Sequence, residues 1–133
     1  MIIKKKYHFY AAHRNELLND KCYNLHGHVY RFLVYVKEQQ QSNGATILFN
    51  DIDKYVKIII DSFDHSCIVH VKDEKLLKAL DILQTKKIIL NEPTTTENIA
   101  KYIFNVLNNI GLNVVRIDLQ ETESSTVIYE IRN

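Results

Sequence analysis

His26 and His28 flank Gly27, with Cys22 four residues before His26 and His13 further upstream. Alternate residues of a strand share a face, so the two imidazoles point the same way. Gly27 has no side chain, which leaves the backbone free to bend or approach closely. His13 ends an earlier run, Tyr7-His8-Phe9-Tyr10-Ala11-Ala12-His13, that also reads as a strand. If these strands pair antiparallel, three histidines converge. Three imidazoles and an open fourth position are what a catalytic zinc needs. A thiol at Cys22, close to a divalent metal, would have a lowered pKa and supply a usable thiolate.

Two further groups could move or bind protons. Asp64 precedes His65, and a carboxylate beside an imidazole fixes its tautomer and raises its basicity; alternatively, Asp64 simply finishes a helix. Glu121 continues the row Val115, Ile117, Leu119. A carboxylate on a core-facing row is costly unless it is paired or bound. A ligand with adjacent N–H donors, such as the amino-pyrimidine edge of a pterin or purine, would satisfy both oxygens. His8 and His70 lack spaced partners and read as packed or surface residues, and Cys67 reads as a small buried hydrophobe.

Composition sets bounds without naming a function. The chain has 133 residues, enough for one domain (1–133) with a real core. With 17 Lys plus Arg against 16 Asp plus Glu, the net charge is +1. Such a balance offers no strong field for nucleic acid or an acidic membrane. Two cysteines allow one disulfide at most, and Cys22 reads better as a catalytic thiol than as a staple. The basic start lacks a following apolar stretch of signal-peptide length, and no run approaches a membrane span. A reduced, cytoplasmic protein is expected.

The elements that must position these groups follow from periodicity. Residues 2–13 and 27–38 read as strands, the second rich in β-branched and aromatic types. Ile52, Tyr55, Val56, Ile59, Ile60 and Phe63 form one helix face, opened by Asn50 or Asp51 as cap. Residues 73–84 read as a shorter helix and 87–90 as an extended link. Pro93 blocks helix before it, and Thr94-Thr95-Thr96-Glu97 fits a capping box. Ile99, Ile103, Val106, Leu107 and Ile110 give a helical stripe that Gly111 ends as a left-handed cap. Strands at about 113–121 and 126–132 close the chain. The order suggests an α+β fold, an antiparallel sheet with helices on one face.

Taken together, these segments resemble the family of 6-pyruvoyltetrahydropterin synthases and 6-carboxytetrahydropterin synthases. The matching pieces are Phe9-x-Ala11-Ala12-His13-Arg14, Cys22-x-x-x-His26-Gly27-His28, Phe63-Asp64-His65, Pro93-Thr94-Thr95-Thr96-Glu97-Asn98-Ile99-Ala100 and Glu121-Thr122, in family order. The resemblance implies a tunnel fold: a four-stranded antiparallel sheet with two main helices on one side, closed into a barrel by oligomerisation, as trimers stacked into a hexamer. It implies that His13, His26 and His28 bind Zn2+. Cys22, Asp64 and His65 would transfer protons, Glu121 would anchor the pterin ring, and Thr95 and Thr96 would help hold it.

The short Cys22-to-His26 spacing resembles the 6-carboxytetrahydropterin synthases of the queuosine and 7-deazapurine route. The expected substrate is then 7,8-dihydroneopterin triphosphate. The alternatives are the same fold stopping at the 6-pyruvoyl product, a non-catalytic pterin-binding module, and a zinc-stabilised structural oligomer. Two departures from the pattern stand out. Ser66-Cys67-Ile68-Val69-His70 lacks the Leu-Asn often seen there, and the Pro-Thr-Thr-Thr-Glu segment is one residue longer than the common form. Arg14 and several lysines are candidates for the triphosphate.

Overall fold

The computed structural model describes residues 1–131. Its order is β1 (Ile2–His13), a 3-10 turn (Lys21–Tyr23), β2 (His26–Lys37), α1 (Phe49–Phe63), β3 (Ser66–His70), α2 (Glu74–Leu83), β4 (Lys87–Leu90), α3 (Thr96–Asn109), β5 (Val114–Thr122) and β6 (Ser125–Glu130). The expected final strand runs to 132, and its last residue lies outside the described residues. The strands form one six-stranded sheet in the order β4-β3-β1-β2-β5-β6.

The sheet corrects the expected four antiparallel strands. The pairs β1–β2, β2–β5 and β5–β6 are antiparallel, but β3 joins β1 in parallel and β4 joins β3 in parallel. All five residues of β3 are buried. A strand covered on both faces has no polar alternation, so period-two reading misses it. β4 follows as its parallel neighbour through the α2 crossover.

The two main helices, α1 and α3, share one face as expected, and the shorter α2 alone departs from it. Phe9, Ala11, Tyr30, Phe32 and Ile68 share a core with Ile52, Val56, Ile59 and Phe63 of α1 and with Ile99, Ile103 and Leu107 of α3. Cys67 and Val69 instead pack with Leu76 and Leu80 of α2, alongside Ala12. Alternate strand residues face opposite ways, so α2 covers the other side of the sheet, beside β3. Elsewhere that outer face carries Lys4, Lys6, Tyr10 and Arg31.

Helix ends differ from expectation by a residue or two. Leu48 is the N-cap of α1 and makes no side-chain capping bond, whereas Asn50 and Asp51 lie inside the helix. Thr95 caps α3 by accepting from the Asn98 amide at 3.2 Å, one residue later than expected, so Glu97 is not the reciprocal partner. Gly111, at φ 105°, follows α3 in the left-handed conformation.

Candidate functional site

The β1–β2 register places His13 directly across from His26, and Ala11 across from His28. Opposed residues share a face, so all three imidazoles lie on the α1/α3 side, beyond the Phe9–Tyr30 stack. Ring centroids are 4.7 Å apart for His13–His26, 5.3 Å for His13–His28 and 4.8 Å for His26–His28. One ring nitrogen from each lies within 4.8 Å of the others.

Backbone carbonyls set two of the tautomers. His13 Nδ1–H donates to the Thr94 carbonyl at 2.7 Å, and His26 Nδ1–H donates to the Asn24 carbonyl at 2.7 Å. A carbonyl only accepts, so each Nε2 keeps its lone pair for another ligand. Among the described residues, His13 Nε2 and His28 Nε2 are buried without a hydrogen-bond partner. Two orphaned imidazole nitrogens facing a common point fit a divalent cation bound by nitrogen donors, zinc among them. Burial lowers the pKa of His13 against the pull of the Thr94 carbonyl, and burial lowers that of His28 against the pull of Glu121.

Glu121 stands at the rim. Its Oε2 accepts from the Thr96 hydroxyl at the start of α3. Its Oε1 lies 3.2 Å from His28 Nε2 but off the line of a hydrogen bond. Glu121 is half-buried rather than solvated. Thr95 is occupied as helix cap, so of the two threonines Thr96 is the one that touches the site.

Cys22 sits half-buried in the 3-10 turn, with its amide capped by Asp20 Oδ1 at 2.8 Å. Its thiol pKa is raised, by burial first and then by the charges of Asp20 and Glu121. The lowered value expected from the sequence is therefore not a property of the chain alone; it requires a nearby cation. Cys67 is buried in the α2 cluster with its thiol pushed up to about 11, as expected of a structural cysteine.

Asp64 and His65 lie elsewhere. Asp64 caps α1 and accepts from the Tyr10 amide at 2.9 Å and from His65 Nδ1 at 2.8 Å. The Tyr10 amide and then His65 hold its carboxyl below the usual carboxylate range. His65 has a left-handed backbone, φ 56°, and is fixed by its amide bond to the Tyr10 carbonyl at 2.6 Å. Its ring is exposed and stacks near Tyr10 at 5.8 Å. Tyr10 points away from the Phe9–His13 face, so one chain holds Asp64–His65 and the histidine cluster on opposite sides of the sheet.

Several contributing residues escaped sequence reading. Thr94 is fully buried; its carbonyl orients His13 while its hydroxyl donates to the Arg14 carbonyl at 3.0 Å. Its only sequence signal was the extra threonine before the helix. Arg14, a candidate for the triphosphate, is instead locked onto Asp73 by two bonds of 2.7 and 2.6 Å.

The family model described as 6-pyruvoyl tetrahydropterin synthase matches residues 2–132. The chain is 33% identical to the 6-carboxy-5,6,7,8-tetrahydropterin synthase of Haemophilus influenzae, covering 96% of this chain and 97% of that protein. It is 28% identical to the enzyme of the same name from Aquifex aeolicus, covering 96% of each. In structure it is similar to 6-pyruvoyl tetrahydropterin synthase of Caenorhabditis elegans, with a TM-score of 0.74 at 23% identity over 99% of this chain and 96% of that one. An uncharacterized Wolinella succinogenes protein gives a TM-score of 0.84 at 18% identity, over 99% and 98%. With the family model spanning nearly all of its length, this chain belongs to the 6-pyruvoyl tetrahydropterin synthase family.

Proposed function

We propose that the protein is a zinc-dependent 6-carboxy-5,6,7,8-tetrahydropterin synthase, a lyase formed by a single domain over residues 1–133. In this reading it converts 7,8-dihydroneopterin triphosphate to 6-carboxytetrahydropterin, acetaldehyde and triphosphate in the cytoplasmic route to queuosine. The observation that carries it is the convergence of His13, His26 and His28, two with orphaned Nε2 atoms, beside the half-buried carboxylate of Glu121. The names of the relatives support the choice of product.

In this mechanism His13, His26 and His28 hold the ion. When bound, it supplies a Lewis acid that acidifies hydroxyls on the substrate side chain. Glu121, oriented by Thr96, accepts the parallel N–H donors of the pterin edge, and Thr95 keeps the start of α3 in place. Cys22 as thiolate takes a proton from one side of the side chain. His65 exchanges a proton at Nε2 on the other, its Nδ1–H held by Asp64.

That geometry requires more than one chain. Asp64 and His65 lie on the far face from the histidines, so each site is completed by the pair from a neighbouring chain. The open sheet also leaves β4 and β6 as edges, which barrel closure covers. The assembly is a homohexamer, a dimer of trimers. Incubation with dihydroneopterin triphosphate, read by mass spectrometry, tests the reading. Release of acetaldehyde with the 6-carboxy compound is the expected result, and 6-pyruvoyltetrahydropterin alone would overturn the product assignment.

A further inference from the structure

His70 stands in the stretch that departs from the family pattern. It is 6% exposed, and its Nδ1 is bonded to the Glu16 carboxylate, itself 13% exposed. Glu16 follows β1 and His70 ends β3, so the pair ties the chain after His13 to the sheet. Two residues earlier, Arg14 grips Asp73, the N-cap of α2, with 14% and 3% side-chain exposure. The Arg14–Asp73 anchor lies on the α2 side, whereas His70, two residues after Ile68, ends β3 on the face of the α1/α3 core.

Between the anchors sits Asn15, whose amide donates to the Cys22 carbonyl at 2.8 Å. The Arg14 guanidinium also covers the Tyr23 ring at 4.8 Å. Cys22 is therefore held at its own carbonyl and through its neighbour, both contacts leading back to the anchored segment 14–16. The second Glu16 oxygen is buried with no partner among the described residues. A buried carboxylate oxygen that no protein donor reaches costs stability, so a merely stabilising role explains Glu16 poorly.

We propose that the Glu16–His70 pair, with Arg14–Asp73 beside it, is the positioning device that fixes Cys22 at the site. Glu16 and His70 are positioning residues and touch no reacting atom. The proposal rests on the assignment of Cys22 as the proton-moving thiol. A displacement of about 1 Å at such a group costs roughly 100-fold in turnover.

The test uses the zinc-loaded protein and three variants. His70→Leu removes the donor at similar volume, His70→Asn restores a donor near the Nδ1 position, and Glu16→Gln keeps the shape without the charge. Each is alkylated with iodoacetamide, and modification at Cys22 and Cys67 is read separately by mass spectrometry. His70→Leu is expected to change the Cys22 rate by about tenfold, with kcat falling and KM near wild type. His70→Asn should recover most of both, with zinc content equal throughout. If His70→Leu does not fold, Glu16→Gln carries the same expectation. Wild-type Cys22 reactivity and kcat in folded His70→Leu or Glu16→Gln would overturn the proposal. The thiol readout needs no substrate. A changed Cys22 rate alongside full turnover in Cys22→Ala would instead remove the catalytic role assigned to Cys22 and leave the positioning intact.

Discussion

His13 donates its Nδ1–H to the carbonyl of Thr94, residues 81 apart in sequence and 2.7 Å apart in space. This bond joins the end of β1 to the turn before α3, and thereby the histidine cluster to the helix whose first residue holds Glu121. Metal site and proposed ring anchor are thus parts of one frame. Disturbing the turn should affect both.

The metal prediction follows from the orphaned nitrogens. His26→Ala and His28→Ala are each expected to lose bound zinc, because two imidazoles fall short of the three protein ligands that an open catalytic site needs. Metal analysis of the purified variants decides this. Full zinc retention in both would remove the site.

Acid should weaken the metal-free protein. His13 and His28 have folded pKa values lowered by burial, so the unfolded chain binds more protons than the native one once pH falls below about 6.5. The sign is that stability is constant above that value and falls as pH drops through the unfolded pKa toward the folded ones. Tm of chelator-treated protein should therefore decline from pH 7 to 5. Zinc should raise Tm at pH 7 and lose that effect on acidification, since protons compete for the same nitrogens. A flat apo Tm across this range would contradict the burial of these rings.

Much of this site was legible because strand geometry is local. The spacing of His26 and His28 fixes their common face, and the antiparallel partner for His13 followed from two adjacent strand-like runs. The register that places His13 against His26 bears that out. Gly27 proved less constrained than expected. It has no positive φ, and an added Cβ would sit 3.4 Å from the Ala11 carbonyl, near ordinary contact. What stayed hidden depends on long-range partners. β3 is buried on both faces and shows no alternation, so the α2 layer, the parallel pairs and the Glu16–His70 contact had no periodic signature. The side of the sheet taken by Asp64–His65 was likewise invisible, because it depends on how the end of α1 meets Tyr10.

The two cysteines should separate cleanly. Cys22→Ala is expected to keep fold and zinc while losing turnover by about 100- to 10,000-fold, the range for a proton-transfer group. Cys67→Ala should cost about 1 kcal/mol of stability through its packing against α2 and leave turnover near wild type. Asp20→Asn keeps the capping oxygen but removes a charge that raises the Cys22 thiol, so metal-free Cys22 should alkylate faster at pH 8. Equal behaviour of the two alanine variants would mean that Cys22 is misassigned.

Glu121→Gln should separate ring binding from metal binding. The amide puts a donor where the pterin edge also presents donors, while Thr96 can still bond the remaining oxygen. Pterin affinity should fall by about 10- to 100-fold with zinc content unchanged, a loss on the scale of one charge-assisted hydrogen bond. Thr96→Val, which frees the carboxylate without changing its charge, should have a smaller effect. Unchanged affinity in Glu121→Gln would remove the ring anchor.

The opposite-face placement of His65 and the histidine cluster makes a prediction about assembly that neither site makes alone. If each site draws Cys22 from one chain and His65 from another, two inactive variants can complement each other. Cys22→Ala and His65→Ala chains, each inactive, would be mixed in equal amounts, dissociated and reassembled. Random assembly then gives sites in which both contributing chains carry the intact residue with a chance of one half each, so activity should recover to roughly a quarter of wild type. Light scattering of the same mixture should report the hexamer. A mixture that remains inactive while forming mixed oligomers would place both groups in one chain's site, and a fully active monomer would remove the shared site altogether.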